Sequence, residues 1–167
     1  AVLVFASFNP NGYLREKAVK LLAKYDMSLP YILLRKNDWV RQVREMADEA
    51  FIYRMDHLSD GELLVSLPFA EKINRSLRGD HKSTIKKFYN ILLKPENKNE
   101  LELGLESRNL YIRRFCLDAI LNTENTDMDL ILKYIKSEKI PQIKFMAYKK
   151  LLTLNDCPVD IILEQML

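Results

Sequence analysis

The sequence predicts an all-α fold, and three observations carry that prediction. Glycine supplies only four of 167 residues, well under the usual ~7%, and the six prolines stand singly, which argues against a turn-rich β-sandwich or barrel. Apolar residues recur along most of the chain at i, i+4, i+7 and i+8, the spacing of one helix face. That pattern itself returns at intervals of roughly thirty residues, the range of helical repeat arrays. With 48% apolar and 29% charged residues the chain has the material for a core and a soluble surface, which excludes intrinsic disorder. Its length fits one domain or a short repeat array.

Taken in order, Leu14, Ala18, Leu21 and Leu22 form the first such face after a loop-like Asn9-Pro-Asn-Gly12. Ser28 to Arg35 reads as a short helix with a serine cap and Pro30 in its first turn, where a missing N–H costs little. After the break at Lys36 to Asp38, the template returns as Val43, Ala47, Ala50 and Phe51. Ser59-Asp-Gly-Glu62 has the spacing of a capping box ahead of Leu63, Leu64 and Leu67. Leu93-Lys-Pro-Glu96 and Asn122-Thr-Glu-Asn125 read as turns, with Ile112, Cys116, Ala119 and Ile120 between them. Thr126 to Lys139 carries Met128, Ile131, Leu132 and Ile135 on one face and ends in basic residues that suit a helix C-terminus. Ile143, Ala147, Lys150 and Leu151 repeat the template with one polar exception, and Asn155 to Leu167 opens a last helix with Pro158 in its first turn.

Aligning the longer helices exposes a shared phrase: an aliphatic residue, a basic residue, two variable positions and a small residue. It reads Leu14-Arg15-x-x-Ala18, Val43-Arg44-x-x-Ala47, Ile112-Arg113-x-x-Cys116 and Ile143-Lys144-x-x-Ala147, and Ile85-Lys86-x-x-Tyr89 is a degenerate copy in the wide central gap. On Asn11-Gly-Tyr-Leu-Arg-Glu-Lys-Ala18, Asp38-Trp-Val-Arg-Gln-Val-Arg-Glu-Met-Ala47 and Asn109-Leu-Tyr-Ile-Arg-Arg-Phe-Cys116, the chain resembles the HEAT-like, armadillo-type family of α-solenoid repeats. The resemblance implies a right-handed α–α superhelix of about five helix pairs, a single repeat domain over residues 1–167. It also implies that Arg15, Arg44, Arg113 and Lys144 pair with turn acids of neighbouring repeats as a scaffold ladder. The sequence departs from the family pattern at Lys36 to Asp38, which lacks a proline, and at Tyr89, which replaces the small residue. Because the chain starts in mid-pattern without Met, it is expected to be a piece of something longer. Its apolar first six residues are expected to be covered by further chain, a cap or end-to-end self-association.

Function is far less legible. The net charge of +3 implies no nucleic-acid or anionic-membrane partner globally, but Lys72 to Lys98 holds eight basic residues against Asp80 and Glu96. No apolar run is long enough to span a membrane. Cys116 and Cys157 lie in helical patterns, as buried free cysteines do, which fits a reducing, cytoplasmic setting. His57 and His81 each follow an aspartate but lack metal-ligand spacing, so they read as turn or capping residues. No phosphate-binding glycine loop and no nucleophile motif occurs, and no catalytic residue, metal or cofactor is assigned. The expected function is non-enzymatic binding of a protein or peptide partner through one face. The candidate binding residues are Trp39 with Arg35 and Arg41 as a recognition cluster, then Lys82, Lys86 and Lys87 if the partner is anionic. The alternative is a HEAT-like DNA-binding protein or alkylated-base DNA glycosylase, in which the basic stretch, Trp39 and Tyr53 would serve.

Overall fold

A computed structural model describes residues 1–76, 81–123, 128–153 and 160. Among these there are ten α-helices and no strand, so the all-α expectation holds. The chain divides into two compact units, Ala1–Glu100 and Leu101–Leu167. The expected helix Asn155 to Leu167 apart from Asp160, with Cys157, and also Arg78, Asp80, Thr126 and part of the Asn122 to Asn125 turn lie outside the described residues.

The first unit contains α1 (Val2–Ala6), α2 (Gly12–Leu22), α3 (Leu29–Arg35), α4 (Arg41–Met55), α5 (Glu62–Asn74) and α6 (Lys82–Leu92). A 3₁₀ turn at Pro95–Asn97 leads into α7 (Lys98–Gly104), within which the boundary between units falls. Consecutive helices pack as α1 on α2, α3 on α4 and α5 on α6, while α2 also lies along α4 and α3 along α5. Of the repeated face, Ala18, Leu22, Val43, Ala47, Ala50 and Phe51 are buried, together with Val19, Leu33 and Leu67, whereas Leu14 and Leu21, expected on that face, are about half exposed. Each large aliphatic side chain withdrawn from water in this way contributes about 1.5–3 kcal/mol, and Ala18 and Ala47 let neighbouring helices approach closely. The second unit holds α8 (Leu110–Leu121), α9 (Met128–Ser137) and α10 (Pro141–Leu151), with α10 packed on both α8 and α9. Cys116, Leu117, Ile131, Ile135 and Leu151 are its buried centre.

Helix starts follow from local chemistry at α2 and α8, where Asn11 and Asn109 accept hydrogen bonds from the N–H groups of Tyr13 and Tyr111, each at 2.9 Å. At α3 the structure corrects the sequence. Ser28 makes no capping bond; the Leu29 N–H instead donates to Oε1 of Glu62, 33 residues further on, at 2.9 Å. Glu62 does interact with Ser59, as a capping box requires, but it is the first residue of its helix, because Gly61 adopts a left-handed conformation (φ +74°) and takes the cap position. Glu62 is thereby free to close the N-terminus of α3 while receiving the buried Arg54 guanidinium on Oε2. The same device recurs one step along the chain, where the Gly61 N–H donates to Oε1 of Glu100 at 2.9 Å.

The opening segment, read only as an apolar stretch, forms the short helix α1. None of its residues is buried, and Val2 and Phe5 are 80% and 76% exposed.

Candidate functional site

The three arginines of the repeated phrase form equivalent stations. Each guanidinium of Arg15, Arg44 and Arg113 donates from Nη1 to the carbonyl oxygens six and five residues earlier: Asn9 and Pro10, Asp38 and Trp39, Ser107 and Arg108. Two of the three also reach an acid in the following turn. Arg15 is bidentate to Asp38, Nε to Oδ2 at 2.9 Å and Nη2 to Oδ1 at 2.8 Å, with both side chains fully buried. Arg113 grips Glu138 through Nε at 2.8 Å and Nη2 at 3.4 Å. Lys144 has no such partner among the described residues.

Burial alone would push the Asp38 carboxyl up, but the bonds from Arg15 and from the Val40 N–H outweigh it and hold the pKa below the usual carboxylate value. Glu138 follows the same logic more strongly. Despite burial, Arg113, the Tyr134 hydroxyl and the N–H groups of Ile140 and Lys139 lower it to about 2. Burial and the bond to Glu138 push Tyr134 up. Both oxygens of Asp38 and of Glu138 accept hydrogen bonds from within the protein, the arrangement of a structural ion pair.

The sequence-derived site residues fall into separate places. Trp39 sits just ahead of α4 and is 63% exposed, yet one face of its indole rests on Arg15, whose Cζ lies 4.1 Å from the ring centroid. Arg35 is partly buried, with 14% of its side chain exposed. Its Nη1 donates to Asp38 at 3.2 Å, its Cζ lies 4.5 Å from the Phe8 ring, and burial lowers its pKa. The buried Asp38 carboxylate draws it inward. Arg41 is exposed and paired along its own helix with Glu45. On α6, Lys82 and Lys86 are exposed, and Lys87 lies 3.8 Å from Asp56. Trp39 precedes α4 and Asp56, the acid beside Lys87, follows it, so the two lie at opposite ends of a 15-residue helix about 22 Å long. The two groups are therefore not one site.

The sequence reading missed the space between α2 and α4. At their C-terminal ends a cavity of about 250 Å³ is walled by Ala23, Met46, Ala50 and Tyr53 with Lys20 and Lys24 on its edge. At their N-terminal ends another, of about 380 Å³, is lined by Gly12, Tyr13, Val40 and Gln42 among others. A larger cavity of about 640 Å³ lies in the second unit beside Arg113 and Glu138.

No family model, curated protein or solved structure matches the chain. Among the described residues, no cluster of His, Cys, Asp and Glu is arranged to hold a metal ion. His57 lies in the turn after α4, stacked on Tyr53 at 4.2 Å with Nδ1 2.8 Å from the Tyr53 carbonyl oxygen; His81 precedes α6 and is buried. No helix among the described residues is long and apolar enough to cross a membrane.

Proposed function

We propose that this chain is a HEAT-like α-solenoid of five helix pairs that acts as a non-catalytic scaffold and recruits a protein partner through the outward side of α2 and α4. The repeat reading is supported by the recurrence of one arginine station at Arg15, Arg44 and Arg113, and by the lateral packing of α2 on α4, α3 on α5 and α8 on α10. In such arrays each pair leans on its neighbours and the long helix faces remain available to partners.

The observation that carries the binding role is the pinned indole of Trp39. A tryptophan held on a buried guanidinium loses little further freedom when a partner covers its outer face, and tryptophan is the side chain most enriched among energetically dominant contacts. Tyr13, which is 79% exposed, and the cavity beside Val40 extend the same face. The reading is tested by affinity capture on the immobilised chain, with Trp39→Phe, Trp39→Ala and Lys86→Glu variants shown to melt normally. Partners retained by the wild type and by Lys86→Glu but lost on Trp39→Ala support it. Equal retention on Trp39→Ala overturns it. Duplex DNA binding that falls steeply with salt and is lost on Lys86→Glu would also overturn it, in favour of the nucleic-acid alternative.

A further inference from the structure

The arginine stations at Arg15 and Arg113 are alike in every bond and unlike in what covers them. Around Arg15, the residue seven positions earlier is Phe8 and the residue after the paired acid is Trp39. Trp39 stacks on Arg15 itself, and Phe8 is met by Arg35, three residues before that acid. Around Arg113 the corresponding residues are Glu106, Lys139 and Ile135. Neither aromatic is present, and the 640 Å³ cavity opens there. Its volume falls inside the ~300–1,000 Å³ range of ligand pockets.

All the bonds of the Arg113 guanidinium run in its plane, to Glu138 and to the carbonyls of Ser107 and Arg108. The Tyr134 hydroxyl, which donates to Glu138, also lies near it; among the described residues no aromatic ring is stacked on the Arg113 guanidinium, whereas the Trp39 indole rests on Arg15. Leu105, Leu130 and Ile140 provide apolar walls. The exposed Lys133 and Lys139 put positive charge on the α9 side, and Glu106 puts the opposite sign on the α7–α8 side.

From these features we infer that the cavity beside Arg113 is a docking pocket for a partner protein segment that presents a tryptophan next to an acidic residue. The indole seats on the Arg113 face in the way Trp39 seats on Arg15, and a cation held over an aromatic ring favours tryptophan over other side chains. The neighbouring carboxylate meets Lys133 and Lys139, while Glu106 disfavours the reversed direction. This pocket lies in the second unit and does not rest on the role proposed for Trp39.

The test uses the full chain, labelled with ¹⁵N, and three capped tetrapeptides: acetyl-Gly-Trp-Glu-Gly-amide, its Trp→Ala version and its Glu→Lys version. The first is expected to shift the Arg113 Nε–H resonance saturably through the ring current, with the two others about tenfold weaker. Lys139→Trp places the chain's own indole where Trp39 sits in the first unit. It is expected to shift the same resonance without peptide and to abolish peptide binding. Three results would each overturn the inference: equal binding of the Trp→Ala peptide, an Arg113 resonance indifferent to the tryptophan peptide, or a Lys139→Trp chain that leaves that resonance unmoved. The α2 and α4 face is untouched by Lys139→Trp, so failure here leaves the Trp39 reading standing.

Discussion

Replacing Asp38 with alanine removes the acceptor of four hydrogen bonds at once: two from Arg15, one from Arg35 and one from the Val40 N–H. What remains is worse than a missing contact. Arg15 is fully buried and keeps only the Asn9 and Pro10 carbonyls as partners, so its charge is left uncompensated away from water. Breaking a buried pair from one side costs about 3–5 kcal/mol, far more than the ~0.2–1 kcal/mol of an exposed pair such as Arg41 with Glu45. Urea unfolding followed by Trp39 fluorescence and by circular dichroism should show a large fall in midpoint for Asp38→Ala at similar slope, and almost none for Arg41→Ala. The double variant Arg15→Met, Asp38→Leu should recover part of the loss, because it removes the fully buried Arg15 charge along with its acceptor and leaves only the partly exposed Arg35 to turn towards water. A loss below about 1 kcal/mol for Asp38→Ala, or a double variant that merely adds the two single losses, would refute the account.

Three further outcomes follow from the same geometry. Glu62→Gln keeps the side-chain shape but removes the charge that meets Arg54 and caps α3 at Leu29; a loss of about 3 kcal/mol is expected in chemical denaturation, together with faster amide exchange at the start of α3. Gly61→Ala meets no atom within 4 Å but must hold φ +74°, so it should cost only the ~1–2 kcal/mol of a left-handed L-residue, measured the same way. Glu138 has a folded pKa of about 2 against an ordinary value of 4.5; because it is lowered, its contribution is fully present above pH 4.5 and is lost as pH falls towards 2. That loss amounts to about 3 kcal/mol, and an acid titration of Glu138→Gln should show a correspondingly shallower fall in stability than the wild type.

The phrase repeated at Leu14, Val43 and Ile112 was enough to place α2, α4 and α8 and to single out the arginines that anchor them, because periodicity and a basic residue at a fixed position are local signals. Cross-chain roles were not local and so were hidden. Glu62 looked like an ordinary capping residue, since nothing in its neighbourhood says that its carboxylate will serve Leu29. Arg35 looked like a surface cation because its partner, Asp38, becomes buried only when α2 lies against α4. Trp39 was legible as an aromatic beside guanidinium groups, but not which of those groups it would stack on. The cavity beside Arg113 left a trace that a longer alignment of the stations would have caught: two aromatics around Arg15 are replaced by Glu106 and Lys139 around Arg113.

The hydrogen bond from Gly61 to Glu100 bears on how this chain can be shortened. Its acceptor sits on the final residue of the first unit, so a fragment ending at Glu100 retains the clasp over the start of α5, whereas one stopped at the 3₁₀ turn gives it up. Trimming those three residues would leave α5 fraying from its front end, and any excised half intended for study in isolation should carry them.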